Sequence, residues 1–221
     1  MRRAALLACA VAVLAGCSSN PPIPDWQLNA KSATERAVSA YLVGNARIDG
    51  AELARARSEV ARTGRADVLA RVELTHCAAQ VASLVFAPCD AFESLRADAG
   101  APERAYADYL AGRLAPADAP LLPEAHRAVA GNATALAGIA DPLARLVAAG
   151  VLFETHRADP TVIRVAIDTA SEQGWRRPLL AWLNVELKRA EVAGASSDVE
   201  RLRRRIVIVE QQGPATGATT R

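Results

Sequence analysis

Aromatic residues are scarce in this 221-residue chain, at 4 % of positions. Runs of β-branched and aromatic residues, the usual mark of strands, are scarce with them. Histidine is nearly absent, with only His76, His126 and His156. They sit in separate expected elements and show no HExxH or comparable metal spacing. No G-x-S-x-G, Walker loop or G-x-G-x-x-G occurs, so no nucleophile elbow or phosphate cradle is legible. The carboxylates are scattered, mostly at helix starts or beside arginine. Glu35, Glu52 and Glu200 are better read as caps than as acid–base groups. These absences point away from an enzyme, a cofactor and a metal site.

Excess charge is missing too. The 26 basic residues, less Arg2 and Arg3 of the leader described below, are matched by the 24 acidic ones. The basic face of a nucleic-acid binder is lacking. What is present is alanine. Hydrophobic residues reach 51 % and alanine dominates them. It is the strongest helix former and its small side chain lets helices approach closely. The expected fold class is all-α, as an irregular helical bundle or a short α-hairpin solenoid.

The most specific feature lies at the N-terminus. Arg2 and Arg3 precede an apolar stretch, Ala4 to Leu14, that is too short to span a bilayer. Leu14-Ala15-Gly16-Cys17 follows. Residues 1–17 resemble the signals of bacterial lipoproteins. The resemblance implies that residues 1–16 form a cleaved signal peptide and that Cys17 becomes an acylated N-terminus. Multiple acyl chains anchor stably where one does not. Ser18 and Ser19, rather than aspartate, follow the cysteine. The implied address is therefore the outer membrane, facing the periplasm. Residues 17–27 hold the lipidated cysteine and a Pro-rich tether. Extended polyproline geometry gives Ser18 to Pro24 a reach of about 20 Å, which keeps the body near the lipid surface.

That address bears on the remaining cysteines. Cys9 lies in the leader; Cys77 and Cys89 lie in the body. Outside the cytosol two thiols usually oxidise, so a Cys77–Cys89 disulfide is expected, against two buried free thiols or pairing between molecules. A continuous helix would hold the two Cα atoms about 18 Å apart, whereas a disulfide needs less than about 7 Å. The helix must then end near Ser83–Val85, with Phe86-Ala87-Pro88 folding back.

Helix signals recur along the chain. Ser32 to Glu35 reads as a capping box before Ala37, Val38, Tyr41 and Leu42. Asp49 with Glu52 reads the same way before Leu53, Ala56 and Val60, and Gly64 ends that helix. Asp67 opens a helix with Val68, Val72, Leu74, Cys77, Ala78 and Val81 on its apolar face. Residues 114–123, with three prolines, read as the main linker or a surface loop between a helical half at 28–113 and another at 124–210. Asp141-Pro142 and Asp159-Pro160 each place aspartate at an N-cap and proline at N1. Arg177-Pro178 opens a further helix. Ser197 to Glu200 reads as a capping box for a last helix with Val199, Leu202, Ile206 and Val209 inward. Residues 211–221 read as a disordered tail. The stretches from Tyr41 to Gly64 and from Gly174 to Ile206 loosely resemble tetratricopeptide-type helix pairs, although no 34-residue period repeats.

Two side-chain groups invite functional readings. Trp175 and Trp182 are seven apart and read as core anchors before partner contacts; Trp26 packs onto the body or rests at the membrane interface. Arg201, Arg203, Arg204 and Arg205 crowd the last helix. They read as a solvated helix end or as a contact for acidic lipid, lipopolysaccharide or an acidic protein. Asn132-Ala-Thr134 matches a glycosylation sequon and reads as chance.

Together these features point to a membrane-anchored periplasmic lipoprotein. Its expected role is a protein-interaction scaffold or an accessory subunit of a cell-envelope complex. Its expected partners are the membrane, through its lipid, and an envelope protein, with no nucleic acid. The alternatives are a carrier of a small apolar or lipidic ligand between Ala-lined helices, and a cell-wall hydrolase or its activator, which would need paired carboxylates across a cleft.

Overall fold

A computed structural model describes residues 22–211. The described residues contain helices and no strands. The helices are α1 (Asp25–Val43), α2 (Ala46–Ala61), α3 (Ala66–Ala82), α4 (Asp90–Glu93), α5 (Ala101–Leu110), α6 (Glu124–Gly131), α7 (Pro142–Glu154), α8 (Pro160–Glu172), α9 (Arg176–Val192) and α10 (Ser196–Gln211). Two 3₁₀ turns, Pro116–Leu121 and Ala133–Gly138, flank α6. The all-α expectation holds, as an irregular bundle.

Alanine sets the packing at the N-terminal end. Ala30, Ala33 and Ala37 of α1 meet Leu53, Ala56 and Val60 of α2 and Val72 of α3 in one buried cluster. Small side chains let α1 and α2 lie close as a hairpin, and α3 closes its open face. Gly44 turns the chain between α1 and α2 at φ 84°, a left-handed conformation that favours glycine.

Helix α1 starts seven residues before the expected capping box. The apolar spacing of Trp26, Ala30, Ala33 and Ala37 runs through Ser32, so that serine is interior. Thr34 turns its hydroxyl to the carbonyl of Ala30 at 2.8 Å. The α2 start also moves upstream. Asn45 caps it, its side chain accepting from the Ile48 amide at 3.2 Å, while Asp49 is committed to His76 instead. At α10 the carbonyl of Ala195 receives the amides of Asp198 and Val199, so Ser197 lies in the first turn. The two Asp-Pro starts form as read. Asp141 accepts from the Ala144 amide at 2.7 Å, and Asp159 from Thr161 and Val162 at 2.8 and 2.9 Å.

The main core joins both helical halves. It runs from Ala70 of α3 through Leu110, Leu136, Leu146 and Leu152 to Trp182, Leu202 and Ile206. The Pro-rich segment between the halves packs against the body, and its Leu122 is fully buried. Helices α3 and α7 cross at Gly150. A Cβ placed there would lie 2.3 Å from the carbonyl oxygen of Val81, so this crossing requires glycine. Helices α8, α9 and α10 follow as consecutive hairpins.

The segment from Ser83 to Pro88 folds back on the end of α3. Helix α3 ends at Ala82, Leu84 takes a left-handed φ of 58°, and the Val85 amide returns to the carbonyl of Gln80 at 3.0 Å. Cys77 and Cys89 are joined as a disulfide with Cα atoms 6.1 Å apart. The helix end and the fold-back match the geometric requirement. The reversed loop lays Phe86 parallel to Phe153 at 6.3 Å between ring centroids.

Candidate interaction surface

The residues singled out from sequence do not converge on one centre. Cys17, the leader and most of the tether lie outside the described residues, as does the tail from residue 212 onward. No helix among the described residues is long and apolar enough to cross a membrane.

The arginines of α10 are distributed rather than pooled. Arg201 pairs with Asp198 at 3.0 Å, Arg203 with Glu191 of α9 at 2.9 Å, and Arg204 with Glu200 at 3.9 Å. Arg205 donates to the hydroxyl of Ser171 on α8 at 3.1 Å. The helix presents mixed pairs instead of a bare cationic stripe. Such exposed pairs add about 0–1 kcal/mol each, so they hold the side chains only loosely.

Each histidine has its own setting. His76 Nε2 lies 2.9 Å from an Asp49 oxygen, and its ring meets Tyr41 edge-on. His126 is buried between Tyr106 and Tyr109, with centroids at 5.5 and 5.1 Å. The Tyr109 hydroxyl is 3.4 Å from its Nδ1. Burial lowers the pKa of His126 to about 4, partly offset by Asp141, so the ring is neutral at pH 7. Burial also raises both tyrosines. His156 is exposed at φ 56° after α7. Among the described residues no group of three or more His, Cys, Asp or Glu side chains could hold a metal.

Two carboxylates, Glu93 and Glu154, share a cavity of about 300 Å³ beside the disulfide, with Arg113 at its edge. Arg96 binds Glu93 through two nitrogens, at 2.7 and 2.9 Å, and holds its carboxyl below the usual range. A general acid for glycoside cleavage needs the opposite shift. A second cavity, of about 350 Å³, lies where α5, α6 and α7 end. Arg157 reaches it and donates to the Ala130 carbonyl at the end of α6 at 2.9 Å. That guanidinium serves the carbonyl-rich helix ends.

Trp182 is fully buried, in line with the core-anchor reading; Trp175 is partly buried at the α9 N-cap. Trp26 packs against the α1–α2–α3 cluster. Asn132 caps the turn that follows it, accepting from the Thr134 amide at 3.0 Å, so its side chain already has a structural use.

The surface that stands out was not legible beforehand. Between the start of α8 and the outer side of α9, Phe153, Ile163, Ala181, Val185 and Val192 line an open groove of about 600 Å³. Val192 is 80 % exposed. Lys188 and Arg189 stand on the rim and no acidic residue lines it. Arg189 is held by Glu186 at 2.7 Å, whereas Lys188 makes no ion pair among the described residues. The sequence signal was small: Val192 follows Lys188, Arg189 and Glu191, off the inward stripe that Ala190 continues.

No protein-family model matches the chain, and no curated protein or solved structure is significantly similar to it.

Proposed function

We propose that this protein is a lipid-anchored envelope protein of the outer membrane that works by holding a protein partner close to the bilayer. The observation that carries the reading is the Val192 groove. An apolar channel between two antiparallel helices, with a free lysine on its rim, suits the apolar face of a partner helix flanked by acidic residues. A side chain as exposed as Val192 gains by being covered, at about 25 cal/mol for each Å² removed from water. The joined Cys77–Cys89 pair supports an oxidising compartment, and the Leu14-Ala15-Gly16-Cys17 box supplies the anchor.

The test is photo-crosslinking in intact cells with a photoreactive residue at position 192, beside one at exposed Arg201. The reading expects an envelope protein captured from position 192 and from the lining position 184, with capture from 184 lost when Val192→Glu is added. Equal capture of the same species from both faces, or none from either, contradicts it.

A further inference from the structure

A third cleft, separate from the groove, lies between α3, the start of α5, the Pro116–Leu121 turn and the start of α6, with a volume of about 500 Å³. We propose that it binds an acyl carboxylate, a small apolar chain ending in one carboxylate.

Its walls are apolar: Leu74, Pro102, Tyr106, Leu121, Leu122 and Pro123. Four polar side chains share the lining: Arg71, Thr75, Glu103 and Arg127. Three of these carry no net charge between them. Arg71 donates to Glu103 at 2.7 Å, which cancels both charges, and the Thr75 hydroxyl donates to the Arg71 carbonyl at 2.7 Å. Arg127 is different. Its Nε donates to the Leu122 carbonyl at 2.8 Å, which fixes the plane of the guanidinium. Its two terminal nitrogens have no protein acceptor among the described residues. Arg127 is exposed, and its guanidinium, anchored through Nε and without a carboxylate partner at the edge of an apolar cleft, is complementary to a carboxylate, which it can take in a bidentate manner.

Pro102 and Pro123 sit at the beginnings of α5 and α6, and neither helix has a side-chain N-cap. Glu103 and Glu124 stand in the first turns of these helices and offset the positive potential of their N-termini, so the unmatched charge at the cleft is that of Arg127. The Arg157 cavity differs here, because helix C-termini surround it. Leu121, 38 % exposed at the rim, offers apolar surface to the occupant's chain. The volume lies within the usual range for small-ligand pockets.

The inference is independent of the partner groove and is tested separately. The full chain in membranes is irradiated with a diazirine-bearing decanoate, digested and sequenced by mass spectrometry. The proposal expects adducts concentrated on Leu74, Tyr106 and Leu121 and suppressed by excess decanoate. The methyl ester of the same probe should label at least about ten-fold less, since a charge-assisted bond is lost. Arg127→Gln should lower labelling by a similar factor and Arg127→Lys should restore part of it. Leu121→Asp changes an exposed position and places a negative charge at the mouth; it should abolish labelling in a chain that melts normally. Adducts spread in proportion to exposure overturn the proposal, as do equal labelling by acid and ester, or labelling unmoved by both Arg127→Gln and Leu121→Asp.

Discussion

The indole N–H of Trp182 donates to the carbonyl of Ala82, 3.2 Å away and 100 residues earlier in the chain. Ala82 is the last residue of α3, where the main-chain carbonyls lack helical partners. Trp182 therefore fills the core and caps α3 from across the fold. Its ring also meets Phe153 edge-on at 5.8 Å, and Phe153 in turn stacks on Phe86 of the disulfide loop. Trp182→Phe keeps most of the volume but leaves that carbonyl without its donor, and should lower stability by about 1–3 kcal/mol. Trp182→Ala should lower it by about 3–5 kcal/mol. Urea unfolding measures both. Equal midpoints for wild type and Trp182→Phe would rule out the cap.

Gly150 answers for the α3–α7 crossing. Gly150→Ala adds only a methyl group to a helix interior, where alanine is ordinarily preferred by about 1 kcal/mol. Here the methyl carbon collides with the Val81 backbone, which cannot rotate away as a side chain would. The clash should outweigh the propensity and destabilise by about 1–3 kcal/mol. The control is Gly131→Ala on α6, where a Cβ meets nothing within 4 Å. Thermal melts of the two variants should move in different directions.

Acid should weaken the fold through His126. Its pKa is about 4 in the folded chain against an ordinary 6.5. The unfolded chain takes up the proton first, so the group's contribution is complete above about pH 6.5 and is lost as pH falls towards 4. The full difference is at most about 3 kcal/mol. The other polar neighbours are Tyr106 and Tyr109, both neutral over this range, and Asp141. Stability of wild type and His126→Phe measured from pH 7 to pH 4 should show the steeper slope in wild type. Parallel slopes would exclude His126 as the cause.

Reduction should act on the same end of the core as Trp182. The Cys77–Cys89 bridge closes a short loop and is worth roughly 3 kcal/mol in the chain-entropy treatment. Its loss also frees the segment that carries Phe86. Cys77→Ser with Cys89→Ser, or dithiothreitol added to wild type, should lower the melting temperature by similar amounts. Dithiothreitol should leave the double variant unchanged. A wild-type melt insensitive to reductant would contradict a structural role for the bridge.

Buried faces were more legible than helix ends. Leu53, Ala56 and Val60 of α2, and Leu202 and Ile206 of α10, lie inward as their spacing requires, because one side of each helix meets the core and the other meets water. The Asp-Pro starts of α7 and α8 were also readable, since proline fixes φ and aspartate has amides within reach. Capping boxes misled at α1, α2 and α10. Ser32 and Asp49 have the right neighbours, but Trp26 and Ala30 extend the apolar stripe upstream, and His76 claims Asp49 from another helix. Such competition is tertiary and leaves no local trace. The disulfide loop was legible because two distances could not both be met. The Val192 groove was not, because it depends on how α8 and α9 splay, and a single exposed valine on a polar stretch looks ordinary in sequence.

The central claim is that this helical body is tied to a membrane outside the cytosol through Cys17. It is tested most directly by mass spectrometry of the native protein extracted from membranes and alkylated without reductant. The account predicts an N-terminal peptide beginning at Cys17 and carrying acyl chains, with Cys77 and Cys89 protected from alkylation as a linked pair. An intact leader or a free thiol at Cys17, with alkylated Cys77 and Cys89, would contradict it.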